Sequence, residues 1–248
     1  MIKLIKNEIY KTTIMLKESA ENSNKDKINL KKSLEDISHQ LKTPLTSILV
    51  MLDNIIEDPD MDKCVRNDFI RDIKRNVTNI NFLVQTLLKL SKFDANTVYF
   101  IKQENDLQNI VKESIKNVST LCDLRNINIE FNTKGNSKIV CDSKWQIEAI
   151  TNILKNAIDH SKNASKVTIN IEDNNVYSMI EIIDTGDGIS KKDIAHIFER
   201  FYKGENATSD SIGIGLALAK TIIEEDNGNV SVESNKLGTK FVIKYFKL

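Results

Sequence analysis

One histidine lies in a segment whose residue types could support transfer of a phosphoryl group. The segment runs Ile37-Ser-His-Gln-Leu-Lys-Thr-Pro-Leu-Thr46. Leu34, Ile37 and Leu41 fall on one apolar face of a predicted helix, so the imidazole of His39 should point outward. An exposed imidazole is substantially neutral at pH 7 and can act as a nucleophile. Taken alone, however, an exposed helical histidine is more often an ordinary surface residue.

A second candidate site is a row of polar side chains spaced four residues apart. Glu148, Asn152, Asn156 and His160 share one face of a predicted helix, opposite a set of isoleucines and a leucine. Side chains at this spacing are neighbours on a helix surface. Such a row needs a polar partner or water, and a hydrated helix face is the simpler interpretation for the helix in isolation.

Two glycine-rich segments follow in the second half of the chain. Asp184-Thr-Gly-Asp-Gly-Ile189 comes directly after a predicted strand, where glycine allows close backbone approach to a ligand. A carboxylate fixed there could accept a hydrogen bond from an exocyclic amine, although a tight turn is the alternative. Ser211-Ile-Gly-Ile-Gly-Leu-Ala-Leu-Ala-Lys220 predicts a helix with a glycine-rich start.

In this order, the motifs resemble those of the sensor histidine kinase family over about residues 28–245. His39, Gln40, Thr43 and Pro44 resemble its phosphoacceptor box. The remaining motifs resemble, in order, the asparagine box (152–160), first glycine box (184–189), phenylalanine box (197–204), second glycine box (211–220) and closing Gly-Thr-x-Phe turn (238–241).

The resemblance implies that His39 is the phosphorylated residue. Thr43 would orient the water that removes phosphate from the partner, the receiver domain of a response regulator. Gln40 stands where the family commonly has a carboxylate base. An amide can accept a hydrogen bond but cannot take a proton, so this departure bears on the rate of autophosphorylation.

The resemblance also implies that the second domain binds ATP and Mg²⁺. Asn156 would coordinate the metal through its amide oxygen, and Asp184 would recognise the adenine amine. Arg200 and Lys203 would approach the phosphates when a polar lid, residues 203–211, closes. The expected nucleotide-binding residues are Asn152, Asn156, His160, Asp184, Gly186, Gly188, Phe198, Arg200, Lys203, Gly213, Gly215, Leu216 and Thr239.

Two departures concern the asparagine box. Related ATP hydrolases of this fold carry a glutamate base at the position of Asn152, and its absence would spare ATP for transfer to His39. Asp159 stands where the family often has a lysine near the phosphates. His160 or Lys162 would compensate.

The distribution of glycine divides the chain into two domains. All eight glycines fall at or after Gly135, and the chain has only two prolines, so the first part should be helical. We expect a signalling helix or stub at 1–27, a helical hairpin at 28–92, a linker at 93–98 and a catalytic domain at 99–248. Two copies of the hairpin could bury their apolar stripes in a four-helix bundle, which predicts a homodimer. Packing of the hairpin on its own second domain is the alternative.

The second domain mixes helices and strands. Helices are predicted at 105–124, 143–159 and 212–225, and strands at 127–131, 167–171, 176–183, 230–233 and 240–245. Ser143 to Gln146 could form a capping box. The fold class is α+β, and the resemblance implies an α/β sandwich of the Bergerat type, with helices on one face of a mixed sheet.

The composition of the chain excludes several other classes of protein. Lys and Arg number 35, as do Asp and Glu, so no excess charge points to nucleic acid. Three dispersed cysteines indicate reduced thiols in a cytosol. The longest uncharged run has 13 residues, which is too short for a membrane span. We therefore expect a cytoplasmic protein, held at the inner face of the membrane only if the full protein has a sensor segment outside this sequence.

Two rival functions remain at this point. One is another ATPase of the same fold, such as a chaperone or topoisomerase module. The other is a degenerate, dimeric scaffold that binds nucleotide or a regulator without transferring phosphate.

Overall fold

The computed structural model describes residues 17, 31, 34–95, 97–135, 137–204 and 213–247. The chain divides into two compact units, Met1–Ile80 and Asn81–Leu248. The helix or stub expected at 1–27 lies outside the described residues, except for Lys17. Among the described residues, no helix has both the length and the apolar character needed to cross a membrane.

The N-terminal unit is built around a helical hairpin. The first helix, α1, covers residues 34–57 and continues without interruption through Pro44. The second helix, α2, is Lys63–Asp94. At its start, a side-chain oxygen of Asp62 accepts hydrogen bonds from the backbone N–H groups of Cys64 (2.7 Å) and Val65 (3.4 Å). A carboxylate at this position satisfies helix N–H groups that have no partner within the helix. The predicted hairpin is confirmed.

The hairpin leaves much of its apolar surface exposed within one chain. Ile48 is buried, whereas Leu45, Leu49, Leu52 and Ile56 of the same helix are exposed. These side chains are available to an apolar partner surface, and the homodimer stays a prediction.

The C-terminal unit contains a five-stranded sheet in the order β2-β4-β5-β7-β6. Only the β2–β4 pair is parallel. The strands are β2 (Asn128–Lys134), β4 (Lys166–Asp173), β5 (Tyr177–Ile183), β6 (Gly228–Asn235) and β7 (Gly238–Phe246). The helices are α3 (Leu107–Arg125), α4 (Ser143–His160), the single turn α5 (Lys191–Ile194) and α6 (Gly215–Glu225).

The core lies between these helices and one face of the sheet. Alternate residues of β5, Ser178, Ile180 and Ile182, are fully buried, and the residues between them are partly exposed. Ile153 and Leu154 of α4 are also fully buried. This period of two is that of a strand with one covered face. The predicted α+β class, with helices on one face of a mixed sheet, is confirmed.

A second, two-stranded sheet was not predicted. It pairs β1 (Gln103–Asp106) with β3 (Lys138–Cys141) in antiparallel register. The sequence of β1 is wholly polar, so it carries no strand periodicity. The predicted start of α3 at Asn105 is therefore wrong: Asp106 caps the helix by accepting from the Gln108 N–H.

The predicted capping box of α4 is also wrong. Asp142 is the N-cap residue and accepts hydrogen bonds from Lys144 N–H and Trp145 N–H. The Gln146 side chain is buried, and its amide nitrogen donates to Asp226 Oδ2 at 2.8 Å instead of taking part in a cap. Asp142 directly follows β3, and its extended backbone suits a cap residue.

Within the C-terminal unit, the end of α2 and the segment that follows it pack against α4 and the end of α6. The ring of Trp145 lies 5.0 Å from that of Phe93 and 6.0 Å from that of Phe100. Lys102 Nζ lies 3.0 Å from Oδ1 of Asp226, whose side chain has no exposed surface. Residues 93–98, which we expect to act as a linker, thus begin with a phenylalanine that is 6% exposed.

Candidate active site

A cavity of about 240 Å³ lies in the C-terminal unit, along the polar face of α4. The predicted residues that line it are Asn152, Asn156, His160, Gly188, Lys203, Gly213, Gly215 and Leu216. Eight of the expected nucleotide-binding residues thus line the same cavity, although they come from four separate segments of the chain. The predicted lid covers residues 203–211, of which 205–211 lie outside the described residues.

The start of α6 contacts α4 directly. A Cβ added at Gly215 would lie 3.6 Å from Oδ1 of Asn152. Two residues earlier, Gly213 has φ +75°, and a Cβ there would approach Tyr202 O to 2.5 Å. Glycine is therefore required to bring the first N–H groups of α6 to the cavity, where a helix N-terminus favours an anion.

Asp184 lies in a tightly packed pocket after β5. It is 2% exposed, and its Oδ1 accepts hydrogen bonds from Gly186 N–H (2.9 Å) and Thr239 N–H (3.1 Å). Burial raises the pKa of this carboxyl group, and the two backbone donors oppose the rise. A Cβ on Gly186 would lie 2.1 Å from His160 O, so this loop fits against the end of α4 only with glycine.

Five of the expected nucleotide-binding residues do not line the cavity in this structure: Asp184, Gly186, Phe198, Arg200 and Thr239. Asp184, Gly186 and Thr239 form the pocket just described. The ring of Phe198 lies 5.9 Å from Lys220 Nζ. Arg200 is paired with the end of α2.

The Arg200 pair is bidentate. Its Nη1 and Nη2 donate to Asp94 Oδ2 and Oδ1, each at 2.6 Å. Through these hydrogen bonds, the guanidinium lowers the pKa of the Asp94 carboxyl group. The expected approach of Arg200 to phosphate would require this pair to open.

Charged groups around the cavity differ from the sequence-based expectation. Asp159 lines the cavity and also pairs with Arg125, whose Nη2 lies 2.9 Å from Asp159 Oδ1. Lys162 pairs with the exposed Asp187 at 3.4 Å and does not line the cavity. Of the two residues expected to compensate for Asp159, only His160 therefore reaches the wall.

The cavity wall also contains residues that the sequence analysis did not predict, among them Lys155 and Phe82. Lys155 could have been found, because it lies one helical turn after Asn152 at the border of the polar face of α4. Phe82 carries no such signal, since it belongs to α2. Burial lowers the pKa of Lys203, another cation on this wall.

The candidate phosphoacceptor lies in the N-terminal unit. His39 is exposed on α1, and Gln40 is partly buried. The hydroxyl of Thr43 donates to the His39 carbonyl oxygen at 3.2 Å, so the two residues occupy successive turns of one helix face. Among the residues that the structure describes, none covers the His39 side chain, which is exposed to solvent.

Comparison with known families identifies both halves of the chain. The family described as His Kinase A (phospho-acceptor) domain matches residues 29–96. The family described as histidine kinase-, DNA gyrase B- and HSP90-like ATPase matches residues 141–248. The chain belongs to the sensor histidine kinase family. Within the kinase, His39 falls in the first match, and every wall residue from Asn152 to Leu216 falls in the second.

Curated relatives are similar over most of this kinase chain. The heme sensor protein HssS of Staphylococcus saprophyticus is 31% identical over 225 residues, covering 87% of this chain and 46% of the relative. The sensor-like histidine kinase SenX3 of Mycobacterium tuberculosis is 27% identical over 207 residues, covering 82% and 50%. The chain thus spans about half the length of the curated relatives it matches.

Solved structures share the fold. Histidine kinase AdeS of Acinetobacter baumannii aligns with a TM-score of 0.69 and 23% identity, covering 84% of this chain and 97% of AdeS. Histidine kinase ThkA, in complex with response regulator protein TrrA, aligns with a TM-score of 0.67 and 20% identity, covering 86% and 60%.

Proposed function

We propose that this chain is the kinase core of a two-component signalling protein. ATP binds in the C-terminal unit, its γ-phosphate passes to His39, and the phosphohistidine donates to an aspartate of a response regulator. The observation that carries the proposal is the convergence of Asn152, Asn156 and the start of α6 on one cavity, in a chain that also has an exposed histidine in a phosphoacceptor segment. We assign phosphotransfer to residues 28–92 and ATP binding to 99–248.

The cavity wall suits a polyphosphate. Backbone N–H groups at Gly215 and Leu216 begin α6, and they have no acceptor within the helix. Lys203 and His160 supply further donors on the same wall. Transfer of a phosphoryl group depends mainly on positioning and charge neutralisation, which such a wall provides.

Asp184 is proposed to select adenine. Its Oδ1 is occupied by two backbone donors, which leaves Oδ2 to accept from an exocyclic amine. Thr239 and Gly186 fix the carboxylate orientation through those bonds. Phe198 and Gly188 are proposed to complete the nucleotide site from either side of α5.

Mg²⁺ is the divalent ion that fits this donor set. The described residues contain no group of three or more His, Cys, Asp or Glu side chains that could hold a metal. Mg²⁺ typically keeps water and substrate phosphates as ligands and needs few protein contacts. The Asn156 amide oxygen would hold it, and the ion would neutralise phosphate charge.

At the acceptor, an imidazole nitrogen of His39 forms a bond to the γ-phosphorus as the bond to ADP breaks, and the ring releases its N–H proton to solvent water. Gln40 can orient the ring through a hydrogen bond but cannot take that proton. Thr43 would place a water molecule for hydrolysis of the phosphorylated regulator, with its hydroxyl turning from His39 O.

The partners follow from the same chemistry. ThkA has been solved in complex with the response regulator TrrA, and we propose a receiver domain as the partner of this chain. We also propose a homodimer, because the exposed leucines of α1 need an apolar surface. The proposed location is the cytoplasm, where ATP and response regulators are found.

The rival ATPase function is disfavoured by one residue. At position 152 an amide, which is a poor base, faces the start of α6. A phosphotransfer assay distinguishes the kinase from a degenerate scaffold. A nucleotide-binding assay does not, since a scaffold could also bind nucleotide.

The decisive experiment is autophosphorylation with γ-labelled ATP and Mg²⁺, using the intact chain and His39→Gln. We expect acid-labile, base-stable label on the intact chain and none on the variant. Label that persists in His39→Gln would show that another residue is the acceptor. Nucleotide binding without any label would favour the scaffold.

A further inference from the structure

Lys155 is a cation on the cavity wall to which the family resemblance gives no role. It lies three residues after Asn152 and four before Asp159, one helical turn from each, and it lines the cavity with them. Its Nζ lies 5.7 Å from the centroid of the Phe82 ring. Within the described part of the chain, no carboxylate lies within ion-pair distance of this ammonium group.

The carboxylates on the same wall are engaged elsewhere. Asp159 pairs with Arg125 at 2.9 Å, and Asp193 Oδ1 accepts from the Tyr202 hydroxyl at 2.7 Å. Neither neutralises Lys155. A partly buried ammonium group that faces a cavity and rests on an aromatic ring is therefore available to an anionic ligand.

We propose that Lys155 binds the polyphosphate of the nucleotide, and that Phe82 holds its ammonium group when no nucleotide is bound. This inference rests on the proposed function of the cavity as an ATP site. A cation–π contact at a partly exposed position is weaker than a charge-assisted hydrogen bond to phosphate, so a phosphate oxygen displaces the ring. The four-carbon side chain of lysine allows this movement without a change in α4.

Lys155 compensates for the negative charge at position 159. The family often has a lysine there, whereas here Asp159 is tied to Arg125. Lys155 lies one turn earlier on the same helix face and replaces the missing cation. Binding of phosphate then also removes a contact between α4 and α2, because Phe82 belongs to α2.

The first test measures the dissociation constants of ATP·Mg²⁺, ADP·Mg²⁺ and adenosine by calorimetry on the full chain. We expect Lys155→Ala to weaken ATP and ADP binding about tenfold and to leave adenosine binding unchanged, the effect of losing about one charge-assisted contact. Lys155→Arg should bind ATP within about threefold of the unmodified chain, since it keeps the charge. Lys144→Ala, at an exposed position in the first turn of α4, is the matched control and should bind all three ligands normally.

A second variant separates the roles of the two side chains. Phe82→Ala removes the ring that competes with phosphate for the ammonium group, so ATP affinity should rise by about twofold. A tenfold loss of ATP binding in Phe82→Ala with none in Lys155→Ala would assign the contact to the ring and overturn the proposal.

The remaining outcomes are distinguishable. Lys155→Ala with normal ATP affinity, or with equal losses for ATP and adenosine, overturns the proposal and leaves the ATP site standing. An unmodified chain that binds no ATP overturns the proposal and the proposed function together. Failure of His39 labelling alongside the expected binding pattern overturns only phosphotransfer.

Discussion

Arg200 holds both carboxylate oxygens of Asp94 at 2.6 Å, joining the segment before α6 to the last residue of α2. The two residues are 106 positions apart in sequence. A planar guanidinium with two parallel N–H···O bonds fixes orientation as well as distance. This pair therefore holds the end of α2 against the segment that precedes α6.

Asp94→Asn should loosen the end of α2 with little effect on global stability. The side chains of Arg200 and Asp94 are 37% and 55% exposed, so solvent screening limits the loss to about 1 kcal/mol or less. Hydrogen exchange should accelerate at residues 89–95. Asp68→Asn, which removes the exposed partner of Arg71 in the N-terminal unit, is the control and should not change exchange there.

The Asp94 pair should also respond to acid. Because the folded-state pKa of Asp94 is lowered below its ordinary value of 3.8, the stabilisation is present above that value. It is lost as pH falls through the lower, folded-state pKa. Exchange at residues 89–95 that stays insensitive to pH as it falls well below 3.8, relative to Asp94→Asn, would contradict this account.

Asp184→Asn should weaken nucleotide binding without destabilising the folded protein. The amide oxygen can accept from Gly186 N–H and Thr239 N–H, but the amide nitrogen would then face the adenine amine, placing donor against donor. We expect ATP affinity to fall at least about tenfold, measured by calorimetry. Asp187→Asn, at an exposed position in the same loop, should bind ATP normally.

The sign of the change in stability caused by Asp184→Asn follows from the raised pKa of the Asp184 carboxyl group. Burial raises the folded-state pKa of Asp184, so its contribution is full below the ordinary value of 3.8 and declines as pH rises through the raised pKa. At pH 7 the variant should unfold at the same temperature as the unmodified chain or higher. ATP binding by the unmodified chain should weaken on acidification as this carboxylate becomes protonated. A marked loss of thermal stability at pH 7 would mean that the carboxylate has a structural role instead.

Asp226→Ala should destabilise the C-terminal unit. This carboxylate has no exposed side-chain surface and accepts from Gln146 Nε2, with Lys102 Nζ 3.0 Å away. Its removal takes away the shorter of two acceptors of the buried Gln146 amide and the carboxylate partner of Lys102, which costs about 1.5–3 kcal/mol. Urea unfolding would measure the loss. Asp123→Ala, at an exposed position in α3, should lie within about 0.5 kcal/mol of the unmodified chain.

Gln40→Glu should increase the rate of autophosphorylation. A carboxylate beside His39 can accept the proton that the amide cannot, and general-base catalysis contributes about 10²–10⁴-fold where it operates fully. We expect at least about a tenfold rise in the initial rate of labelling. Gln85→Glu, at an exposed position on α2, makes the same chemical change away from the acceptor and should leave the rate unchanged. A slower Gln40→Glu would show that the amide itself is needed.

Local patterns in the sequence were sufficient to predict much of the fold. The four-residue spacing predicted a polar face on α4, because helical periodicity fixes which side chains share a face. The family resemblance, and not the spacing, indicated that this face binds nucleotide. Asn152, Asn156 and His160 line the cavity, whereas Glu148 pairs with Lys89. The strand predicted at 176–183 corresponds to β5, Tyr177–Ile183. The polar strand β1 has no such pattern and forms only by pairing with β3, which lies far along the chain.

Tertiary contacts account for what the sequence could not show. Phe82 reaches the cavity because the end of α2 packs beside α4, and no spacing rule links residues so far apart. The pairing of Arg200 with Asp94 is of the same kind. Asp142 caps α4 in place of Ser143 because β3 delivers it there in an extended conformation.

The packing of Phe93, Phe100 and Lys102 on the C-terminal unit determines where this chain can be divided. A fragment that starts at residue 99 would uncover one side of Trp145 and leave Arg200 without Asp94. A fragment that starts at Asn81 keeps these contacts and begins where the compact unit begins. The portion that could be exchanged between kinases as an intact module therefore starts inside a helix, well before the first strand of the catalytic domain.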